Sequence, residues 1–333
     1  MAKRKNGKKG CFIGLIIVAI LGCVGFWVKL QLGPLEKGPA QTYVFAKPRG
    51  ITGVLNEFES KGVIKSAYLA KVLSVLSGSK KIVNPGVYRV APGMTAAEVL
   101  TALKNPIKQL VRVPEGRWIA RVAKVLEEKK AAKASEYIDL SNHPEKFAEF
   151  GIPFFNDSLE GFLYPDTYNF APEIGADYVV RRQLLNFENR TAKLGLTKEN
   201  MRRTIIIASL LELEASDYKE KQMIAGVIEN RLMRGMRLQI DATINYGMQE
   251  WRVLTYADYT KIKSPYNTYL VKGLPPGPIC SPTGKSIEAA LHPIKHNFVY
   301  YITMPDGITR FTATYPEHLV NVKLRDTMKA QKK

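Results

Sequence analysis

"TIIIASLLELEASD", Thr204 to Asp217, sets Glu212 and Glu214 two residues apart in a helical stretch of isoleucine, leucine and alanine. An ionised carboxylate is among the costliest groups to bury, so two of them here need a reason. On a wheel of about 100° per residue, Glu214 falls beside Ile207, Leu210 and Leu211, and Glu212 falls with Ile205 and Ala208. A carboxyl walled by Leu and Ile loses hydration of its charged form, keeps its proton toward neutrality and becomes a proton donor. Cleaving a glycosidic bond requires such a donor for the leaving oxygen. The same position also suits a structural acid paired with Arg202, Arg203 or Arg231, and this stretch alone leaves both readings open.

The helix reads from Lys198 to about Ala215, and helical patterns flank it, from Asp177 to Leu194 and from Lys219 to Met233, the last stopping at Gly235. After Asp241 the chain reads as turns and the proline-rich "KGLPPGPICSP". A short helix near Ser286 to Leu291, the strands "FVYYITM" and "TRFTAT", and a closing helix after Pro316 follow. Upstream, Trp118 to Ala148 is helical and charged. "LEGFLYPDTYNFAPE", Leu159 to Glu173, is aromatic without period, which suits a core plug or a cleft wall equally. Three phrases, "KPRGITGVLNEF" from Lys47, "APGMTAAEVLTAL" from Ala91 and "VPEGRWIARVAKVL" from Val113, each read as strand end, Pro/Gly turn and amphipathic helix. Strands "GVYRV" and "KQLVRV" precede the second and third, and Thr95 is a helix cap. These units, Pro92-Gly93-Met94-Thr95 above all, resemble LysM-type glycan-binding modules; a plain βα spacer explains them equally well. The class is α+β: one N-terminal membrane helix, small LysM-like strand-turn-helix modules and a mainly helical domain with short strands.

The chain has 333 residues and a net charge of +19. Its first 35 residues hold no acid. Lys3, Arg4, Lys5, Lys8 and Lys9 stand before an uncharged run from Cys11 to Val28, which spans about 27 Å as a helix, close to a bilayer's hydrocarbon core. Trp27 and Lys29 suit the far interface. The excess of cations before the run, against Lys29 and Lys37 after it, predicts a cytoplasmic tail and an exported body. The run continues past Cys23 with no small-x-small site, favouring an uncleaved anchor over a signal peptide. The expected segments are 1–10 as tail, 11–28 as span, 41–107 as LysM-like module and 108–333 as catalytic domain. Of three cysteines only Cys280 lies outside the span, so no intramolecular disulfide staples the body. Without the five tail cations 44 basic residues still face 30 acidic ones, which suits an anionic polymer or membrane surface; export argues against nucleic acid.

The phrases N-R-L-x-x-G-M-x-L-Q-x-D (Asn230 to Asp241), Y-N-T-Y (Tyr266 to Tyr269), G-L-P-P-G-x-I (Gly273 to Ile279) and S-I-E-A-A-x-H-P (Ser286 to Pro293) follow the E-x-E helix in order. With "EGFLYPDTY" and "VPEG" they resemble the YceG-like endolytic murein transglycosylases, the MltG family. The resemblance implies that Glu214 is the catalytic acid and base, with Glu212 in support. It implies cleavage between N-acetylmuramic acid and N-acetylglucosamine in peptidoglycan. The muramyl 6-hydroxyl closes a 1,6-anhydro end without water, with no cofactor and no metal. Gln239, Asp241, Thr243, Tyr266, Asn267, Thr268 and Tyr269 carry over as groove residues, and peptidoglycan synthases as partners. Leu213 and Ala215 replace the family's usual Lys or Glu and Thr. Ile240 and Ala242 stand within its usual Q-T-D-P-T. The rival classes are a noncatalytic peptidoglycan-binding scaffold and a muramidase that uses water through Asp241. "SPTGKS" lacks the first glycine of a phosphate loop, since position 279 is Ile279. His292 and His296 are separated by Pro293, and Ser209 has no nucleophile elbow.

Overall fold

The computed structural model describes residues 7–331 except 37, 46 and 156. Lys3, Arg4, Lys5 and Lys37 of the charge argument lie outside the described residues. The chain divides into two compact units, 1–109 with 171–174, and 110–170 with 175–333.

The smaller unit begins with α1 (Gly7–Leu32), of which Ile13–Leu32 is long and apolar enough to cross a membrane and has no buried share. The apolar helix ends four residues later than Val28, because nothing breaks it before Gly33 and Pro34. Then come β1 (Gln41–Phe45), β2 (Arg49–Gly50), α2 (Ile51–Ser60), α3 (Ala67–Leu76), β3 (Ile82–Val83), β4 (Gly86–Val90) and α4 (Ala96–Lys104). β1 pairs antiparallel with β4, placing Tyr43 opposite Tyr88, and β2 pairs with β3. Val54, Leu55 and Phe58 of α2 and Val99 and Leu100 of α4 bury against these strands. The expected cap is present: Thr95 Oγ1 accepts from the Glu98 N–H, and Glu98 answers at the Thr95 N–H. The second phrase thus forms strand, turn and helix, and in the first the helix follows β2 directly.

The larger unit comprises β5 (Leu110–Arg112), α5 (Ile119–Glu128), α6 (Ala134–Ser141), a 3-10 segment (Pro144–Phe150), β6 (Thr167–Asn169), α7 (Ala176–Thr191), α8 (Lys198–Glu214), α9 (Tyr218–Met233), α10 (Asp241–Met248), α11 (Tyr256–Lys261), α12 (Gly284–Leu291), β7 (Tyr300–Thr303), β8 (Thr309–Thr312) and α13 (Tyr315–Gln331). β5 pairs with β6 and β7 with β8, both antiparallel. α8 is the spine. It packs on α9, α10 and α12, and Thr204 to Leu211 are buried throughout, so its middle is apolar on every side.

α10 and α11 stand where turns were expected. Their β-branched residues, Asn and Gly make DATINYGM a poor isolated helix, and tertiary contact decides. Thr243 donates to the Ile240 carbonyl at 2.6 Å, and Ile244 is fully buried. The aromatic stretch after Leu159 serves as both core and cleft wall: Phe162 meets Phe154, Phe155 and Phe187 and Tyr168 stacks on Phe170, while Tyr164, Pro165 and Asp166 line a cleft.

Two glycines explain why separate phrases belong together. Gly161 sits at φ +93°, and a Cβ there would lie 2.5 Å from Pro278 and 2.8 Å from Ile205, so "EGF" closes onto both the proline loop and α8. Gly116 sits at φ +65° with a Leu213 methyl 2.9 Å from where its Cβ would be, bringing "VPEG" against the residue between the two glutamates.

Candidate active site

α8 ends at Glu214, with Ala215 already extended, so both glutamates occupy the last helical turn. There the macrodipole's negative end opposes added negative charge. The two side chains then take opposite roles.

Glu212 is fully committed. Its Oε2 accepts from the Thr283 N–H and hydroxyl, both at 2.8 Å, and from Ser286 Oγ at 2.6 Å. Lys221 stands 3.5 Å from Oε1 and donates to Ser286 at 2.6 Å. Both charged side chains are almost wholly buried, at 4% and 5% exposure. The pair joins the end of α8 to the start of α12 and to α9.

Glu214 faces elsewhere and is only partly buried. Tyr301 donates to its Oε2 at 2.7 Å; among the described residues its Oε1 has no hydrogen-bond partner. Loss of hydration raises its pKa. The Tyr301 hydrogen bond and the charge of Arg231 oppose this, while the charge of Asp241 adds to it. The three arginines considered as structural partners are engaged otherwise. Arg203 pairs with Glu229 at 2.5 Å, Arg202 donates to the Pro276 carbonyl at 2.9 Å, and Arg231 donates to the carbonyls of Val299 and Leu238.

Asp241, exposed at the start of α10, accepts from Tyr269 at 2.7 Å and Tyr259 at 3.3 Å, whose rings pack 4.6 Å apart. Burial raises the pKa of Tyr269 and Tyr301, which keeps both as neutral hydroxyls. The structure therefore gathers Glu214, Asp241 and Tyr269 of the expected residues and adds Tyr259 and Tyr301.

The other expected groove residues separate. Asn267, wholly buried, donates to the carbonyls of Tyr259 and Ile262 and accepts from the Tyr269 N–H, so it shapes the loop from within. Thr243 and Thr268 are buried and share a 2.9 Å hydrogen bond, and Thr268 also receives the Ile240 N–H. They tie the loop to α10. Gln239 is exposed at φ +51°, its N–H donating to the Thr268 carbonyl. Tyr266 packs on Tyr246 at 4.7 Å and lines a cleft whose wall includes neither Glu214 nor Asp241. Ser209 is spent inside the core, donating to the Ile206 carbonyl and accepting from the Ile279 N–H.

Two clefts border α8 and its neighbours. One of about 700 Å³ opens at Leu213, Ala215 and Ser216 and takes in Glu212, Arg117, Arg121 and Trp251. The other, about 1010 Å³, has Glu160, Tyr246 and Tyr266 in its wall. Glu160 was not anticipated as a special group. It is 5% exposed, its Oε2 accepts from the Ile119 N–H at 3.0 Å, and its Oε1 is buried without a partner. Burial pushes its pKa up to about 8. From about pH 4.5 to about pH 8 the folded chain therefore holds a proton that unfolding releases. Stability from this group falls as pH rises through that window and levels off above it. Glu160→Gln removes the slope: urea midpoints measured at about pH 5 and about pH 8 converge relative to wild type, and an unchanged difference would refute this origin.

Glu214, partly buried and held by one tyrosine donor, thus lies near a tyrosine-bound aspartate on an α+β scaffold. The sequence profile of the YceG-like family matches residues 45–324, and the chain belongs to that family. It is similar to an endolytic murein transglycosylase of Bacillus subtilis, at 29% identity over 90% of this chain and 89% of the relative. An endolytic murein transglycosylase of Streptococcus pneumoniae is 23% identical over 92% of this chain, which spans 63% of that relative. A crystal structure of a YceG-like protein from Listeria monocytogenes superposes with a TM-score of 0.57 at 27% identity, covering 84% of this chain and 98% of that one.

Proposed function

We propose that this protein is a membrane-anchored endolytic transglycosylase of peptidoglycan, with Glu214 as the single acid and base. The observation that carries the proposal is the state of Glu214: desolvated, held by Tyr301 and free of any cation close enough to pair with it. Such an acid keeps the proton that the bridging oxygen between N-acetylmuramic acid and N-acetylglucosamine must receive as the muramyl C1 becomes oxocarbenium-like. The C1–O bond breaks and the N-acetylglucosamine hydroxyl leaves. Glu214, now a carboxylate, takes the proton of the muramyl 6-hydroxyl as that oxygen bonds to C1. One acid is returned, no water is consumed, and the intramolecular nucleophile makes a second catalytic carboxylate unnecessary. Tyr301 fixes the Glu214 rotamer. Asp241 with Tyr259 and Tyr269 forms a polar wall suited to sugar hydroxyls and pyranose faces. The cation excess before the span puts the N-terminus in the cytoplasm and the chain after the span on the exported side.

The proximity of Asp241 to Glu214 also supports a second reading, a muramidase in which Asp241 directs water. The ends of the product separate the readings. Incubated with wall sacculi, the protein is expected to release glycans ending in 1,6-anhydro-N-acetylmuramic acid, read by mass spectrometry. Ends heavier by one water would establish hydrolysis, and absence of release would leave a binding scaffold.

A further inference from the structure

We propose that α3 lies in the membrane interface, so that the smaller unit docks directly on the lipid bilayer that α1 crosses. α3 is apolar on both sides. Tyr68, Val72, Val75 and Leu76 are 74%, 40%, 70% and 80% exposed, while Ala67, Ala70 and Ser74 are buried and Leu73 packs partly on the core. The exposed four stand at i, i+4, i+7 and i+8 and form one stripe. A clustered apolar surface of this kind marks an interaction site.

Its position names the occupant. α3 packs against α1, Lys65 just before it donates to the Leu30 carbonyl at 3.1 Å, and Leu32 packs on the unit's core. Leu30 itself is 51% exposed. The stripe thus lies beside the end of the span, continuous with surface that already faces lipid on the membrane-anchor reading, on which this inference rests. Lys71 on α3 and Lys80 and Lys81 in the segment after it are exposed, and none forms an ion pair with a described residue. Of the acids at the end of α2, Glu57 is occupied by Arg49 and Lys61, and Glu59 accepts from the Ala67 N–H at the start of α3. Unpaired lysines beside an apolar stripe match anionic headgroups over acyl chains, with the lysine stems reaching up to the phosphates.

The test uses the full chain with Cys11→Ser, Cys23→Ser and Cys280→Ser, reconstituted in phosphatidylglycerol and phosphatidylethanolamine vesicles. Single cysteines at Val18, Leu76 or Lys193 carry a nitroxide, and power saturation compares collisions with oxygen and with a water-soluble nickel chelate. Val18 reports the span, Leu76 the stripe and Lys193 exposed surface of the larger unit. Oxygen should dominate at Val18 and Leu76, and nickel at Lys193. Adding Val72→Glu and Val75→Glu, both on the exposed face and so harmless to the fold, should turn Leu76 from oxygen-dominated to nickel-dominated. Nickel dominance at Leu76 with oxygen dominance at Val18 would overturn the docking and leave the anchor standing. Shielding from both probes at Leu76 would show protein covering the stripe and overturn it as well. Nickel dominance at Val18 would remove the anchor itself, and the docking with it.

Discussion

Glu214→Gln is expected to abolish glycan cleavage by at least about a hundredfold, while folding and glycan binding persist. The size follows from the role. A positioned general acid and base contributes roughly 10²- to 10⁴-fold, and here one group acts in both halves of the reaction. Glutamine keeps the shape and offers an oxygen to the Tyr301 hydroxyl, so the 2.7 Å contact survives the change. It also removes the cost of holding a carboxyl whose pKa burial has raised, so unfolding midpoints should not fall. Release of soluble muropeptides from sacculi, together with a pull-down of the same sacculi, separates chemistry from binding. Cleavage within about threefold of wild type, in protein with the wild-type unfolding midpoint, would remove Glu214 from the mechanism.

Much of this centre was visible in the sequence, for identifiable reasons. α8 was expected from Lys198 to about Ala215 and runs to Glu214, because a long apolar stretch has few alternatives as a helix. Its apolar faces told that a carboxyl on it is desolvated. They could not tell which of two carboxyls is neutralised, since that depends on Lys221, Thr283 and Ser286, which lie 9, 71 and 74 residues from Glu212 along the chain. The motif loop misled in the opposite direction. Asn267, Thr268 and Thr243 are short polar side chains that suit a sugar as well as a backbone amide. Only the return of the loop onto α10 decides for the backbone. Tyr301 went unnoticed because strand alternation in "FVYYITM" marks which residues share a face, not that this face meets the end of α8. α10 escaped because its helicity comes from packing on α8 rather than from its own residues. Glu160 escaped because one acid within an aromatic phrase gives no sign of burial until Gly161 closes the turn onto Ile205 and Pro278.

Glu212→Gln should act on stability rather than on chemistry, lowering it by about 3–5 kcal/mol, the usual effect of breaking a buried pair from one side. The loss is large because glutamine cannot balance Lys221. The ammonium stays 5% exposed, donating to Ser286 with no carboxylate behind it. Thr283 and Ser286 also lose an anionic acceptor that takes three of their hydrogen bonds at once, and those bonds tie α12 to α8. Removing both charges, as Glu212→Gln with Lys221→Met, should recover a large part of the loss, since the lone buried ion is then gone and the methionine stem fills the lysine's path. Urea midpoints of the two single variants and the double variant give the coupling, expected to exceed about 1 kcal/mol. Below the unfolding transition, Glu212→Gln should cleave sacculi within a few-fold of wild type, because its carboxyl is enclosed by four protein groups and has none left for substrate. The opposite pattern, a wild-type midpoint with cleavage lost as deeply as in Glu214→Gln, would exchange the two roles and make Glu212 the proton donor.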